Sequence, residues 1–228
     1  MEAIAAQRTP FHDRRDAGRR LSNHPRLRAY AGRDAIVLAL PRGGVPVGYE
    51  VAEALDLPLD VFVVRKLGVP GHRELAMGAI ASGGTRVIDE ELVKRLEIDE
   101  KKVAAVAAEE QRQLEQRERR YRDDEAGPQV GGVTALLVDD GLATGASMRA
   151  AVQALRASGP AAVVVAVPVA PQESCAALER EADEVICAVT PDLFFAVGAW
   201  YERFDQTTDE EVVDLLARAR ARGAQGIG

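Results

Sequence analysis

The sequence predicts an α/β fold in which a parallel sheet is covered by helices on both faces. Five short runs rich in Val and Ile end at Gly, Pro or Asp: Ile36–Leu40, Leu59–Val64, Val133–Val138, Ala162–Val167 and Glu184–Ala188. They are apolar on both faces for most of their length, as strands of a doubly covered sheet must be. Helical patterns lie between most of them, and strands alternating with helices imply parallel pairing through crossover connections.

The elements follow in order. Asp13–Tyr30 is an Arg-rich helical candidate before the first strand. Val47–Leu55 follows the first strand, Met148–Ala157 the third and Glu173–Glu181 the fourth. Asp99–Arg122 predicts a long helix, because it is built from strong helix formers and holds neither Gly nor Pro. Its Glu109, Glu110 and Glu115 stand three or four residues from Arg112, Gln113 and Arg119, the spacing of a solvated face. A coiled-coil partner face competes poorly there, since few apolar positions follow Leu114. Ala126–Gly132 is a Gly/Pro turn into the third strand. Thr207–Arg222 reads as a closing helix, with an N-cap at Thr207 or Thr208 and acids in its first turn. No internal repeat or low-complexity tract interrupts the chain, so its 228 residues are expected to form one domain.

Composition narrows the function classes. Apolar residues at 47% and charged residues at 29% exclude wholesale disorder. The net charge of −7 argues against nucleic acid or an anionic membrane as partner. The apolar run Ala161–Ala170 is too short to span a bilayer and contains Pro168. The N-terminus sets Asp13 and Asp16 among its arginines and lacks an apolar core, so no signal peptide is expected. Cys175 and Cys187 make neither a disulfide framework nor a metal knuckle, and are expected as buried reduced thiols. His12, His24 and His72 show no ligand spacing. These features together give a cytoplasmic expectation.

The most informative string is Ala135–Ser147, ALLVDDGLATGAS. A buried strand runs into two carboxylates, then a loop of small residues, then a helix. Ligands of parallel α/β sheets sit outside the carboxyl ends of the strands. Ala143, Thr144, Gly145, Ala146 and Ser147 let backbone N–H groups close around an anion. Thr144 and Ser147 add hydroxyls, and the helix N-terminus adds partial positive charge. No Walker A pattern occurs. A phosphate alone does not call for Asp139 and Asp140, which would repel it. A sugar phosphate does, because two carboxylates can accept from vicinal hydroxyls while the loop holds the phosphate. The competing reading is a strand ending in an Asp turn that caps the next helix.

ALLVDDGLATGAS resembles the 5-phosphoribosyl-1-diphosphate (PRPP) motif of type I phosphoribosyltransferases: apolar residues, two acids and a T-G-x-[ST] loop. Gly141 departs from that pattern, where an aliphatic residue is usual. ALPRGGV at Ala39–Val45 stands where this family places its pyrophosphate loop, with Arg42 as cation and Gly43 and Gly44 for backbone approach. VRKLGVPG at Val64–Gly71 resembles the segment that opens the flexible lid of adenine phosphoribosyltransferases, with Arg65 and Lys66 facing the diphosphate from the other side. The bland alternatives are a Gly-rich strand–helix turn and two surface basic residues. The strings LPRGGVPV and VDDGLATGA are also similar to those of a group of bacterial phosphoribosyltransferase-like proteins.

The resemblance implies a type I phosphoribosyltransferase-like sheet with a lid near residues 65–85, the inserted helix near 99–122 and a small C-terminal hood near 189–206. It implies transfer of 5-phosphoribosyl from PRPP to a nucleobase-like acceptor, in nucleotide salvage. Mg²⁺ would be carried by PRPP, with Asp139 and Asp140 as candidate contributors. Arg42, Lys66, Asp139 and Asp140 would be the catalytic groups, with Arg65 or Arg73 as further cations. In the hood Phe194, Phe195 and Trp200, with Tyr201 and Phe204, would offer stacking faces for the base, against a core-packing alternative. Glu74 is a candidate proton acceptor, with a salt-bridge role as its alternative. Ala143 stands where hypoxanthine–guanine enzymes place an Asp, which favours an aminopurine or another nitrogen heterocycle as acceptor. Val69 and Pro70 replace the lysine that adenine enzymes usually carry there. A PRPP-binding regulator and a phosphoribohydrolase are the competing functions, and a homodimer is left open.

Overall fold

The computed structural model describes residues 10–122 and 127–225. Ala126, the first residue of the expected Ala126–Gly132 turn, lies outside them, as do the first nine residues. Five strands form a parallel sheet: β1 (Ala35–Ala39), β2 (Leu59–Val61), β6 (Thr134–Val138), β7 (Ala162–Val169) and β8 (Glu184–Val189). Their order is β2-β1-β6-β7-β8. Val37, Leu136, Leu137, Val164 and Val165 are fully buried, as the doubly apolar runs require. Helices α1 (Arg14–Ser22), α3 (Gly44–Leu55) and α6 (Ala146–Arg156) contact this sheet, as does α8 (Asp209–Gln225). The Thr208 hydroxyl accepts from the Glu211 N–H, so Thr208 caps α8.

A second, three-stranded antiparallel sheet was not expected. It contains β3 (Val64–Val69), β4 (His72–Ala81) and β5 (Thr85–Ile88), in order β3-β4-β5. A short helix α4 (Glu90–Arg95) follows it, capped by Asp89, whose side chain accepts from the Leu92 N–H. The expected strand Leu59–Val64 is therefore two elements. Leu59–Val61 joins the parallel sheet, Phe62 and Val63 are buried between the sheets, and Val64 opens the antiparallel one. One apolar run serves two cores, so composition could not mark the break. The glycines of the expected lid segment occupy defined positions. Gly71, Gly83 and Gly84 take φ of 85°, 80° and 76° at turns. At Gly78 a Cβ would lie 2.3 Å from the Val87 carbonyl oxygen.

Three further expectations change. The Asp13–Tyr30 helix is broken: α1 ends at Ser22, and α2 (Pro25–Arg28) starts afresh at a proline, which cannot continue a helix. The helix α5 (Glu100–Arg122) is present, but it is more than a solvated surface element. It buries Ala107, Leu114, Tyr121 and Arg122, and lies against β3, β4 and α8. Glu109 pairs with Arg112 and Gln113 as its spacing suggests, but Glu110 reaches across to Arg65 on β3. Glu115 accepts from Gln111 rather than Arg119. Finally, Cys175 and Cys187 are joined in a disulfide, not reduced thiols. The first lies on α7 (Gln172–Leu178) and the second on β8, and this helix packs on that strand. Counting cysteines gave no view of that packing. No helix among the described residues is long and apolar enough to cross a membrane.

Candidate active site

The register of the parallel sheet builds the site. Ala39 at the end of β1 lies opposite Val138 at the end of β6. The loops that follow, Leu40–Gly43 and Asp139–Gly145, therefore leave the sheet side by side at its carboxyl edge. They approach too closely for side chains on the first loop. A Cβ on Gly43 would lie 2.2 Å from Asp140 Oδ2, and one on Gly44 would lie 2.7 Å from the Val138 carbonyl oxygen. The paired glycines are thus demanded by the acid pair behind them. The Pro41–Arg42 peptide is cis.

Asp139 and Asp140 stand on this seam. The Asp140 N–H donates to Asp139 Oδ1 at 2.8 Å. Burial, then the neighbouring Asp140 charge, pushes the Asp139 carboxyl well above the usual carboxylate range. Burial also raises Asp140, opposed by the Arg14 guanidinium. Arg14 Nε donates to Asp140 Oδ2 at 2.8 Å. The Tyr201 hydroxyl donates to the Asp140 carbonyl at 2.5 Å. Burial raises the Tyr201 phenol, reinforced by the Asp140 charge.

Beyond the acids, Gly145 takes φ 69° as N-cap of α6 and offers no side-chain cap to the first-turn amides. Thr144 Oγ1 makes a long 3.4 Å contact with the Ala146 N–H. Ala143, Thr144 and Ser147 are exposed, Ala146 is half-buried and Gly145 is buried. The Ser174 hydroxyl on α7 donates to the Ala143 carbonyl at 2.7 Å and steadies the loop from below. The arrangement is an uncapped helix N-terminus beside two carboxylates, which can receive a phosphate and polar hydroxyls on adjoining surfaces.

The other expected residues are placed as follows. Arg42 Nη1 lies 3.9 Å from Asp209 Oδ1 at the start of α8. Asp209 is held below the usual carboxylate range by the Tyr121 hydroxyl, with Arg120 and Arg42 contributing. Lys66 is exposed on β3, whereas its neighbour Arg65 is held by Glu110 and Gln113 of α5. Arg73 and Glu74 are exposed on β4, and Glu74 lies 3.5 Å from His72. In the hood, Trp200 is 5% exposed and belongs to an apolar cluster with Phe11, Ala17, Val169 and Tyr201. Phe195 is 82% exposed and Phe194 is half-buried.

Two features escaped the sequence reading. The first is the return of the N-terminal segment: Phe11 bridges to Tyr201, which seals the hood and delivers Arg14 to the acids. The second explains Gly141. Its φ is 155°, and a Cβ there would lie 2.7 Å from Val197 Cγ1. The space an aliphatic residue would need is filled from the hood.

A family model described as phosphoribosyl transferase domain matches residues 12–202. Two curated Mycobacterium tuberculosis proteins, from strains CDC 1551 / Oshkosh and H37Rv, are both named putative phosphoribosyl transferase. Each is 48% identical over 209 residues, covering 92% of this chain and 47% of the relative. The chain thus spans about half the length of the curated relatives it matches. The crystal structure of TT1426 from Thermus thermophilus is 42% identical and has a TM-score of 0.82, over 92% of this chain and 99% of that chain. With the family model covering residues 12–202 and the acid pair, small-residue loop and paired glycines all inside that range, the chain belongs to the phosphoribosyl transferase domain family.

Proposed function

We propose that this chain moves 5-phosphoribosyl from PRPP to a nitrogenous base. The observation that carries the reading is the contact between two loops. The Gly43–Gly44 backbone lies directly against Asp139 and Asp140, and the uncapped start of α6 at Ala146 follows soon after. This gives adjoining surfaces for a diphosphate, a diol and a terminal phosphate. In the reaction a nitrogen lone pair forms a bond to C1 of the ribose, the bond from C1 to the diphosphate oxygen breaks, and pyrophosphate departs with that electron pair.

The chain's own groups would act mainly by position and charge. Backbone N–H groups from Ala143 to Ser147, with the Thr144 and Ser147 hydroxyls, would hold the 5′-phosphate. Asp139 and Asp140 would accept from the ribose hydroxyls. Arg42 and Lys66 would stabilise the departing diphosphate, and Arg65 would join them on release from Glu110. The antiparallel sheet that carries Lys66 would act as the lid that excludes water. Phe195 offers an exposed face for a planar acceptor, while Trp200 would support the hood from within.

Mg²⁺ suits this site. It takes oxygen ligands and is commonly held by one or two carboxylates together with substrate phosphates. Asp139 and Asp140 provide such carboxylates, adjacent at the seam where the Asp140 N–H donates to Asp139 Oδ1. When bound, the ion supplies positive charge against the departing diphosphate.

The phosphate subsite is tested by Thr144→Val combined with Ser147→Ala. Both side chains are exposed, so the fold should be kept. Loss of two hydrogen bonds to a charged group should weaken PRPP binding by at least about tenfold in calorimetry. Unchanged titration heat in the folded variant would contradict the assignment.

A further inference from the structure

Arg14 is assigned no role by the motif, yet three contacts fix its side chain at the acid pair. Nε donates to Asp140 Oδ2 at 2.8 Å, Nη1 donates to the Asp205 carbonyl at 2.5 Å, and the guanidinium lies 3.9 Å over the Phe204 ring. The side chain is only 12% exposed. Its backbone is equally fixed, because Asp13 caps α1 by accepting from the Asp16 N–H. Asp140 Oδ2 is also the atom against which Gly43 packs, and Arg14 Nε would lie 3.3 Å from a Cβ at that glycine. One carboxylate oxygen is therefore clamped between a guanidinium and the diphosphate-side loop.

We propose that Arg14 is a positioning residue: by holding Asp140 Oδ2 it fixes the plane of the carboxylate, so that the remaining oxygen meets the ribose 2-hydroxyl. The inference rests on the transferase reading above. A guanidinium suits this task better than an ammonium. Its planar fork reaches the carboxylate and the Asp205 carbonyl together while stacking on Phe204. A carboxylate held in place beforehand needs no reorganisation when the sugar arrives.

The test compares ribose 5-phosphate with 2-deoxyribose 5-phosphate by calorimetry, since a contact that merely stabilises the fold would not alter sugar discrimination. The wild type is expected to prefer the ribose compound by about tenfold, the worth of a charge-assisted hydrogen bond. Arg14→Gln should cut that preference to below about threefold, and Arg14→Lys should recover part of it. Asp140→Asn should lose the preference too, and the double variant should lose no more than Asp140→Asn alone, because both act through one carboxylate. If Arg14→Gln does not fold, Phe204→Leu decides, with a smaller loss in the same direction. Full preference in either folded variant, or additive losses in the double variant, would overturn the inference. Equal wild-type binding of both sugars would overturn it while leaving the phosphate subsite standing. Wild-type binding of neither sugar would remove the transferase reading and this inference with it.

Discussion

Asp139→Asn combined with Asp140→Asn is expected to lower PRPP-dependent pyrophosphate release by at least about a hundredfold, the scale of losing preorganised electrostatic groups. The same variant should be no less stable than the wild type near neutral pH. Both carboxyls are raised, chiefly by burial, so the folded chain binds protons more readily at this seam than the unfolded chain does. A carboxyl raised on folding opposes folding once it must ionise. The wild type should therefore lose stability as pH rises from about 4, the unfolded carboxylate value, through the raised folded values. The double Asn variant should lack that slope. Activity and stability thus move in different directions, as expected of groups kept for chemistry. Full activity in the double variant would reject the assignment. Denaturant unfolding across pH checks the second half.

The largest effect on stability should come from Arg122→Ala. Arg122 ends α5 and is 3% exposed. It donates to Asp60 Oδ1 at 3.1 Å, to Glu118 Oε1 at 2.6 Å and to the Val61 carbonyl. Burial raises the Asp60 carboxyl, and Arg122 is the main group opposing that rise. Removing the guanidinium leaves a desolvated carboxylate in the middle of β2. Breaking a buried pair in this way costs about 3–5 kcal/mol, a large share of the roughly 5–15 kcal/mol that holds a domain together. Arg122→Met with Asp60→Leu replaces the pair by apolar groups and should unfold at higher denaturant than Arg122→Ala. If Arg122→Ala unfolds within about 1 kcal/mol of the wild type, the pair is not what fixes α5 to the sheet.

The contiguous parts of the candidate site were legible in the sequence. Asp139 to Ser147 lie on one strand–loop–helix unit, and their order along the chain is their order in space. Gly43 and Gly44 were legible as a close approach of backbone, although the neighbours in the structure are the side chain of Asp140 and the backbone at Val138 and Asp139. What failed was long-range. Arg14 stands 126 residues before Asp140, and nothing in an Arg-rich helix marks the one arginine that turns inward. Arg65 shows the same limit, because its partners Glu110 and Gln113 sit on a helix that read as solvated. The Leu59–Val64 run concealed a change of sheet, because apolar character reports burial and not which strand is the partner. Trp200 was legible as an aromatic near the site, but its burial against Phe11 depended on the N-terminal segment returning to the hood.

The most direct measurement is pyrophosphate release from PRPP with Mg²⁺ across a panel of nucleobases, with the nucleotide product identified by mass. The account predicts release that depends on one base, together with a matching nucleoside monophosphate. It also ranks an aminopurine or another nitrogen heterocycle above hypoxanthine and guanine, because Ala143 provides no carboxylate at the loop. Faster turnover of hypoxanthine or guanine would reverse that ranking. Tight PRPP binding with no release for any base would contradict the transferase account and make the chain a PRPP-binding regulator, whereas ribose 5-phosphate and pyrophosphate formed without a base would make it a hydrolase.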